Sequence, residues 1–343
     1  MKIGIVTDAW HPQISGVVTT LAKTIEEAQR LGHQILCIHP GLFKRTLPCP
    51  TYPQIQLAIN PFGQLRRLLN RFKPFSMHIV TEGPIGLAGR FYCRRNRLNF
   101  TTSFTTRFDE YIHLRSGIPS ALFFGLMKWF HSASAKVLVS SQALRQELRS
   151  RGLTRTALWP RGVDTNLFRI RDKSFIRDQR PIFLYVGRIA VEKNIHSFLE
   201  VELPGTKYVV GDGPALEKLK RQYASVRFVG AKTGIDLARY FAAADVFVFP
   251  SKTDTFGIVM LEALACGVPV AAYPVRGPID IIENGKVGFL DRNLKTAALK
   301  ALTIDPLNCR HFSLRYSWEN STMQFIRQLV PIRKNMQKEY DNV

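Results

Sequence analysis

Short apolar runs alternate along this chain with longer segments in which apolar residues recur every three or four positions. The first run, Lys2–Thr7, gives way to a polar loop, Asp8–Ser15, then to Gly16 and a helical stretch, Val17–Leu31. Gly32 stands where helices commonly end on a left-handed residue, and a second run, Gln34–Ile38, follows. Such an opening predicts strand, helix and strand, with a glycine where loop meets helix. Apolar runs at His78–Thr81, Phe100–Phe104 and Lys136–Ser140 predict further strands with helices between them. A second cycle begins at Ile182–Val186 and continues through Lys207–Val210, Val226–Val229, Val246–Phe249, Val268–Ala271 and Gly288–Leu290. Alternation of this kind predicts two doubly wound α/β layers. The charged stretch Arg169–Arg180 reads as the linker between them.

Length agrees with that division, because 343 residues exceed the size at which one core keeps growing. Hydrophobic residues make up 45% of the chain, enough for two cores. The start, Met1–Val6, is too quickly polar for a secretory signal, and no run approaches the roughly 18 apolar residues of a spanning helix. Five cysteines (37, 49, 93, 266 and 309) without a Cys-x-x-Cys pair argue against a disulfide framework or a zinc site and for a reducing cytoplasm. Charge changes the picture more. The net charge is +22, and it is uneven: residues 1–170 hold 23 basic and 8 acidic side chains, the remainder 25 and 18. A field of that size draws polyanions, either nucleic acid or an anionic bilayer.

The candidate chemistry gathers in the second half. Gly187-Arg188-Ile189-Ala190-Val191-Glu192-Lys193-Asn194 places two cations five positions apart just after a strand. A guanidinium and an ammonium at a parallel strand's carboxyl end suit a diphosphate. Thr253–Gly267 then puts Asp254 in a loop and Glu262 inside a helix expected over about residues 257–266, with Thr255 as its cap. The amides of Phe256, Gly257 and Ile258 would offer a phosphate site at the helix start. Glu262 could accept from both hydroxyls of a ribose, and Asp254 from those of a second sugar. A ligand with phosphates and several hydroxyls is a sugar nucleotide. Gly211-Asp212-Gly213-Pro214 is a strand-end turn that could add Gly213, and Ser15-Gly16-Val17 could present amides from the first half.

Together these segments resemble the retaining glycosyltransferases of family 4 (glycosyl transferases group 1), which include bacterial lipid and mannosyl transferases. The likeness runs over nearly the whole chain. Gly187–Asn194 resembles the family's Arg/Lys diphosphate clamp, and Asp254-x7-Glu262, continued by Ala263–Val270, resembles its acid-x7-acid motif. Asp8–Val18 is similar to the amino-terminal glycine loop, Pro160–Asp164 with Phe168 to the turn before the linker, and Tyr316–Glu319 to the start of a helix that crosses back.

The resemblance implies a GT-B architecture: two Rossmann-like doubly wound α/β domains facing across a cleft, with a C-terminal helix returning to the first. The expected boundaries are 1–168 for an acceptor-binding domain, 169–180 for the linker, 181–315 for a nucleotide-sugar domain and 316–343 for the crossing helix. It also implies that Arg188 and Lys193 hold the diphosphate, Glu262 the ribose, Asp254 the donor sugar and Gly16 the phosphates. Three positions depart from the pattern: Asp254 where glutamate is commoner, Arg161 in place of asparagine, and Thr105, within Ser103–Tyr111, where a histidine is usual. A threonine hydroxyl can hydrogen-bond a sugar but cannot become a cation. Thr105 and Asp8 are therefore expected only as sugar or acceptor contacts.

The expected reaction is transfer of a hexosyl group from a UDP- or GDP-sugar, with no further cofactor and no metal. Front-face attack by the acceptor is the route the resemblance implies. Leu65, Leu68, Leu69 and Phe72 along one face of Gln64–Lys73 suit either a core-facing helix with a solvated basic side or a surface that settles on anionic lipid; with a second cluster at Arg90, Arg94, Arg95 and Arg97, the basic first half suits a lipid acceptor and an anionic membrane surface. Ala121–Phe130 is apolar enough to line a lipid-accepting cleft or to be a buried helix. The expected location is cytoplasmic, peripheral on the inner face of the plasma membrane. The competing readings are a transferase with a soluble or polysaccharide acceptor, a sugar-nucleotide epimerase, and a basic nucleic-acid-binding protein. No nucleic-acid module is recognisable in favour of the last.

Overall fold

The computed structural model describes residues 1–13, 15–49, 52–105, 120–254 and 256–333. The chain forms two compact units, one drawing on Met1–Asp109, Pro119–Pro160 and Trp318–Val343, the other on Arg161–Ser317.

In the first unit β1 (Lys2–Val6) leads to α1 (Gly16–Arg30) and β2 (Gln34–Ile38). The Ser15 hydroxyl caps α1 by accepting from the Val18 amide at 3.4 Å, and Val18, Leu21 and Ala28 form its buried stripe. A two-stranded antiparallel ribbon, β3 (Thr46–Cys49) and β4 (Tyr52–Ala58), precedes α2 (Phe62–Phe72). Then come β5 (Ser76–Ile79), α3 (Pro84–Arg95), β6 (Thr101–Ser103), α4 (Ser120–Ser132), β7 (Lys136–Val139), α5 (Gln142–Ser150) and β8 (Thr156–Leu158). The six strands of the main sheet are parallel, in the order β2-β1-β5-β6-β7-β8. Its inner strands β1, β5, β6 and β7 are buried on both faces, which is why β1 and β7 read as apolar runs rather than alternating ones.

The second unit contains β9 (Ile182–Val186), α6 (Ile195–Glu200), β10 (Thr206–Val210), α7 (Leu216–Gln222), β11 (Arg227–Phe228), α8 (Gly234–Ala243) and β12 (Val246–Phe249). It continues with α9 (Ile258–Ala265), β13 (Val270–Ala272), α10 (Pro278–Ile281), β14 (Gly288–Leu290), α11 (Leu294–Ala301) and α12 (Pro306–Ser313). Its sheet is also parallel, in the order β11-β10-β9-β12-β13-β14. The order reverses between β9 and β12, and between β1 and β5 in the first unit. At such switch points the loops at the carboxyl ends diverge and leave a crevice for ligand.

A final helix, α13 (Trp318–Gln328), belongs to the first unit. Glu319 pairs with Arg30 at 3.1 Å, the Ser321 hydroxyl donates to the Pro160 carbonyl at 2.6 Å, and Phe325 is fully buried with its ring 4.7 Å from that of Trp159. Burying that phenylalanine contributes about 1.5–3 kcal/mol.

Three expected bounds differ from the contacts within each unit, and three strands were not expected. The passage between units falls at Pro160–Arg161 rather than at 168, because Phe168 packs edge-on to Phe241 at 5.8 Å and Arg310 donates to the carbonyls of Thr165 and Phe168. The expected linker 169–180 is integral to the second unit. Its charges face an acid: Lys173 and Arg180 both pair with Asp245, at 2.8 and 2.7 Å, while Phe175 meets the Tyr240 ring edge-on at 5.1 Å. The last helix runs from Trp318 to Gln328 rather than over 316–343; Ile332 then donates to the Phe75 carbonyl, and 334–343 lie outside the described residues. The β3–β4 ribbon and β8 were not expected at all; β8 is only three residues long and two of these are only partly buried, too weak a run to read.

Candidate active site

The second sheet's switch point brings the two motifs of the second half into contact. After β9 the backbone of the Gly187–Asn194 loop is pinned twice: the Tyr185 hydroxyl donates to the Arg188 carbonyl at 2.7 Å, and the Ile189 amide donates to the Asp212 carbonyl at 2.9 Å. Ile189 is buried and anchors the loop from beneath. Gly213 has a packing reason of its own, since a Cβ there would lie 2.4 Å from the Ile189 carbonyl oxygen. A 3₁₀ turn, Val191–Lys193, ends on Asn194 in the left-handed region, φ 51°. From there Asn194 Nδ2 donates to the Pro250 carbonyl at 3.0 Å, and the Thr253 hydroxyl donates to the Glu192 carbonyl at 3.0 Å. These bonds tie the loop after β9 to the loop after β12.

Across that seam Lys193 Nζ donates to Asp254 Oδ1. Both side chains are partly buried, so the pair is stronger than an exposed one. Two residues expected to hold different parts of a ligand therefore hold each other, 61 positions apart in sequence. Arg188 stands five residues earlier on the same loop, with its side chain partly exposed.

Beyond Asp254 the chain enters α9. Gly257 occupies the cap position at φ 85°, and a Cβ there would meet Met260 Cε at 2.8 Å and Phe249 Cζ at 3.0 Å. Only glycine fits both the conformation and the space. The expected cap, Thr255, lies outside the described residues; the helix begins at Ile258, one residue later than expected, because the left-handed Gly257 cannot continue it. Among the described residues no side-chain cap bond covers the start of α9. The amides of its first turn make a positive helix end, which is the environment an anion favours. Phe256 and Ile258 are buried and fix this entry.

Glu262, one turn into α9, is buried, and desolvation pushes its carboxyl up to about 7. A carboxyl titrating near neutrality inside a mostly apolar helix is costly unless something polar meets it. Cys266 on the same helix is raised to about 12, chiefly by burial and next by the charge of Glu262.

The candidates in the first unit fare differently. Gly16 is the first residue of α1, beside the Ser15 cap. Asp8 follows β1 and turns into its own unit: its carboxylate accepts from the amides of Ile85 at 2.8 Å and Gly86 at 3.1 Å, and from the Thr81 hydroxyl at 2.9 Å. It caps α3 from a distance, and burial lifts its pKa to about 6. Gly83 is required there, since a Cβ would lie 2.5 Å from the Asp8 carboxyl carbon. Asp8, expected as a sugar or acceptor contact, thus has a structural task. Thr105 is partly buried at the end of the described stretch after β6, while Thr106–Tyr111 lie outside the described residues. Arg161 is buried, which lowers its pKa to about 10 and leaves it cationic at neutral pH. Asn194, Thr253 and Tyr185 were not anticipated; only Asn194, a residue that tolerates left-handed backbone, carried a signal of its role in the sequence.

Among the described residues no group of three or more His, Cys, Asp or Glu side chains is placed to hold a metal, and no helix is long and apolar enough to cross a membrane.

Two doubly wound parallel-sheet units, with a clamp-and-acid constellation at the switch point of the second, define a glycosyltransferase of the GT-B fold. Family comparison agrees: residues 14–167 match the model of Glycosyltransferase Family 4 and residues 168–321 that of Glycosyl transferases group 1. The chain belongs to this family. It is similar to a GDP-mannose-dependent alpha-mannosyltransferase of Mycobacterium tuberculosis, 29% identical over 318 residues that span 84% of this chain and 83% of that one. It is also similar to an alpha-monoglucosyldiacylglycerol synthase of Streptococcus pneumoniae, 26% identical over 394 residues, spanning 99% of this chain and 88% of that protein. The fold matches that of a sucrose-phosphate synthase from Thermosynechococcus elongatus with a TM-score of 0.78 at 21% identity, covering 95% of this chain and 97% of the other.

Proposed function

We propose that this glycosyltransferase moves a hexosyl group from a UDP- or GDP-sugar to a hydroxyl of a membrane lipid, with retention of anomeric configuration. One observation carries the donor side: the Lys193–Asp254 pair joins the two switch-point loops beside the start of α9 and a buried Glu262. Diphosphate binding draws Lys193 and Arg188 onto the phosphates, with the α9 amides facing the same charge. Glu262 then accepts from the ribose hydroxyls, which supply the polar partners its burial calls for. Asp254, released from Lys193, accepts from hydroxyls of the transferred sugar.

As the bond from the anomeric carbon to the diphosphate breaks, negative charge grows on the leaving oxygen, and the two cations and the helix end stabilise it. The acceptor oxygen bonds to the anomeric carbon on the same face, and its proton passes to the departing phosphate. The lipid acceptor and a peripheral position on the cytoplasmic face of the membrane are supported by the basic first unit and by the diacylglycerol relative.

The test is a panel of UDP- and GDP-sugars, first by thermal shift and then by product formation with membrane extract, with the anomeric configuration of the product read by NMR. A stabilising donor and a glycolipid product of retained configuration are expected. An inverted product overturns the mechanism, and transfer only to a water-soluble acceptor overturns the lipid assignment.

A further inference from the structure

The three helices α2, α3 and α4 contain no aspartate or glutamate. From residue 28 to residue 146 the chain carries 16 Lys and Arg against three acids, Glu82, Asp109 and Glu110. Glu82 is turned inward, 3.0 Å from Nε2 of the fully buried His131. This charge imbalance is joined to an unusual apolar surface. The apolar face of α2, the helix whose sequence suggested contact with lipid, is spent on the core, since Leu65 and Leu69 are buried. It is α3 and α4 that turn apolar side chains outward: Leu87 is 42% exposed, Phe91 54%, Leu126 59% and Trp129 50%.

These four form two pairs on helices that Arg90 joins. Leu87 and Phe91 lie one turn apart on α3, and Leu126 and Trp129 one turn apart on α4. Arg90 bridges the helices. Its guanidinium donates to the carbonyls of Trp129 and Phe130, at 3.1 Å each, and lies 3.7 Å from the centre of the Trp129 ring. Phe91 is steadied from the other side by the edge of Phe62, 5.2 Å away. Single exposed apolar residues are ordinary; a braced cluster with tryptophan and phenylalanine is a contact surface. Arg94 and Arg95 continue the exposed side of α3 a turn further on, and Lys128 lies between the two apolar residues of α4.

We propose that the α3–α4 face is the surface by which the protein sits on an anionic bilayer. Phe91 and Trp129 enter the boundary between headgroups and acyl chains, while Arg94, Arg95 and Lys128 meet lipid phosphates. Charge complementarity selects this occupant: helices without a single acid repel basic partners, and their aromatic tips favour an interface that is apolar on one side and wet on the other. The proposal deepens the reading of a membrane-lipid acceptor and rests on it.

The test uses the full chain with vesicles of phosphatidylglycerol and phosphatidylcholine, some carrying brominated acyl chains that quench nearby tryptophan. The wild type is expected to co-sediment with anionic vesicles and to be quenched, and Trp129→Phe to bind without most of that quenching. Phe91→Ser/Trp129→Ser lowers partitioning by roughly tenfold or more, and Arg94→Gln/Arg95→Gln by roughly fivefold per charge at low salt. All variants keep the wild-type thermal shift with UDP or GDP. Lys218→Gln/Lys220→Gln, an equal loss of charge on α7 of the second unit, leaves binding unchanged. If the wild type binds no vesicles, the membrane reading itself fails. If it binds but the α3–α4 variants match wild type, or the α7 variant weakens binding equally, only this surface is wrong. Loss of duplex DNA binding without loss of vesicle binding also overturns it.

Discussion

The two switch points of this molecule hold carboxylates of opposite employment. In the first unit Asp8 follows β1, and its oxygens take two amides of α3 and the Thr81 hydroxyl. In the second unit Asp254 follows β12 and meets the side-chain cation of Lys193, while Glu262 lies buried on α9. The same position in the same kind of sheet thus serves architecture in one half and is available for chemistry in the other. The difference lies in what the carboxylate touches. Backbone amides are fixed and cannot be exchanged for a ligand without losing a helix start, whereas a lysine side chain can move to a phosphate.

Lys193→Ala should break the comparison most visibly. Loss of this cation from the proposed diphosphate site is expected to lower kcat by about 10²–10³-fold, with the thermal midpoint little changed, because the side chain is only partly buried. Near-normal turnover would remove the donor assignment.

Glu262→Gln comes next. The folded pKa of about 7 lies above the ordinary 4.5, so the folded state holds the extra proton, and stability falls as pH rises from about 4.5 to 7. The amide variant escapes that loss. It should be more stable than wild type at pH 8 by up to about 3 kcal/mol, with no such gain at pH 4, yet bind UDP or GDP more weakly. Paired pH–denaturation curves check this, and a constant difference across pH would contradict the buried titration.

Asp8→Ala should act on the fold alone. It strands the amides of Ile85 and Gly86 at a helix start, costing about 1–3 kcal/mol by denaturant unfolding, with donor affinity unchanged. A selective loss of donor or acceptor binding at wild-type stability would return Asp8 to the active site.

Asp254→Asn should have the subtlest signature. Freed from its partner, Lys193 becomes more available to phosphate, so affinity for free UDP or GDP rises severalfold, corresponding to about 1 kcal/mol, while transfer falls. Weaker nucleotide binding would show that Asp254 orients Lys193 rather than competing for it.

Much of this was legible because period and punctuation are local properties. The strand runs, Gly32 at the end of α1 and the Asp254-x7-Glu262 spacing depend only on near neighbours in sequence. The misreadings share one cause. Arg169–Arg180 looked like a solvated linker because its charges have no partner nearby in sequence; Asp245, far down the chain, supplies it. The apolar stripe of α2 left core and lipid both open, because a stripe does not reveal what covers it.

The sequence by itself determined the alternation of strands and helices, the acid-poor first half and the residue types needed to hold a diphosphate and hydroxyls. Only the tertiary structure decided which carboxylate is held by backbone amides, which helix faces remained uncovered, and that Lys193 and Asp254 meet. Local patterns follow from backbone geometry over a few residues, but partnership and exposure follow from which distant segments a sheet order brings side by side.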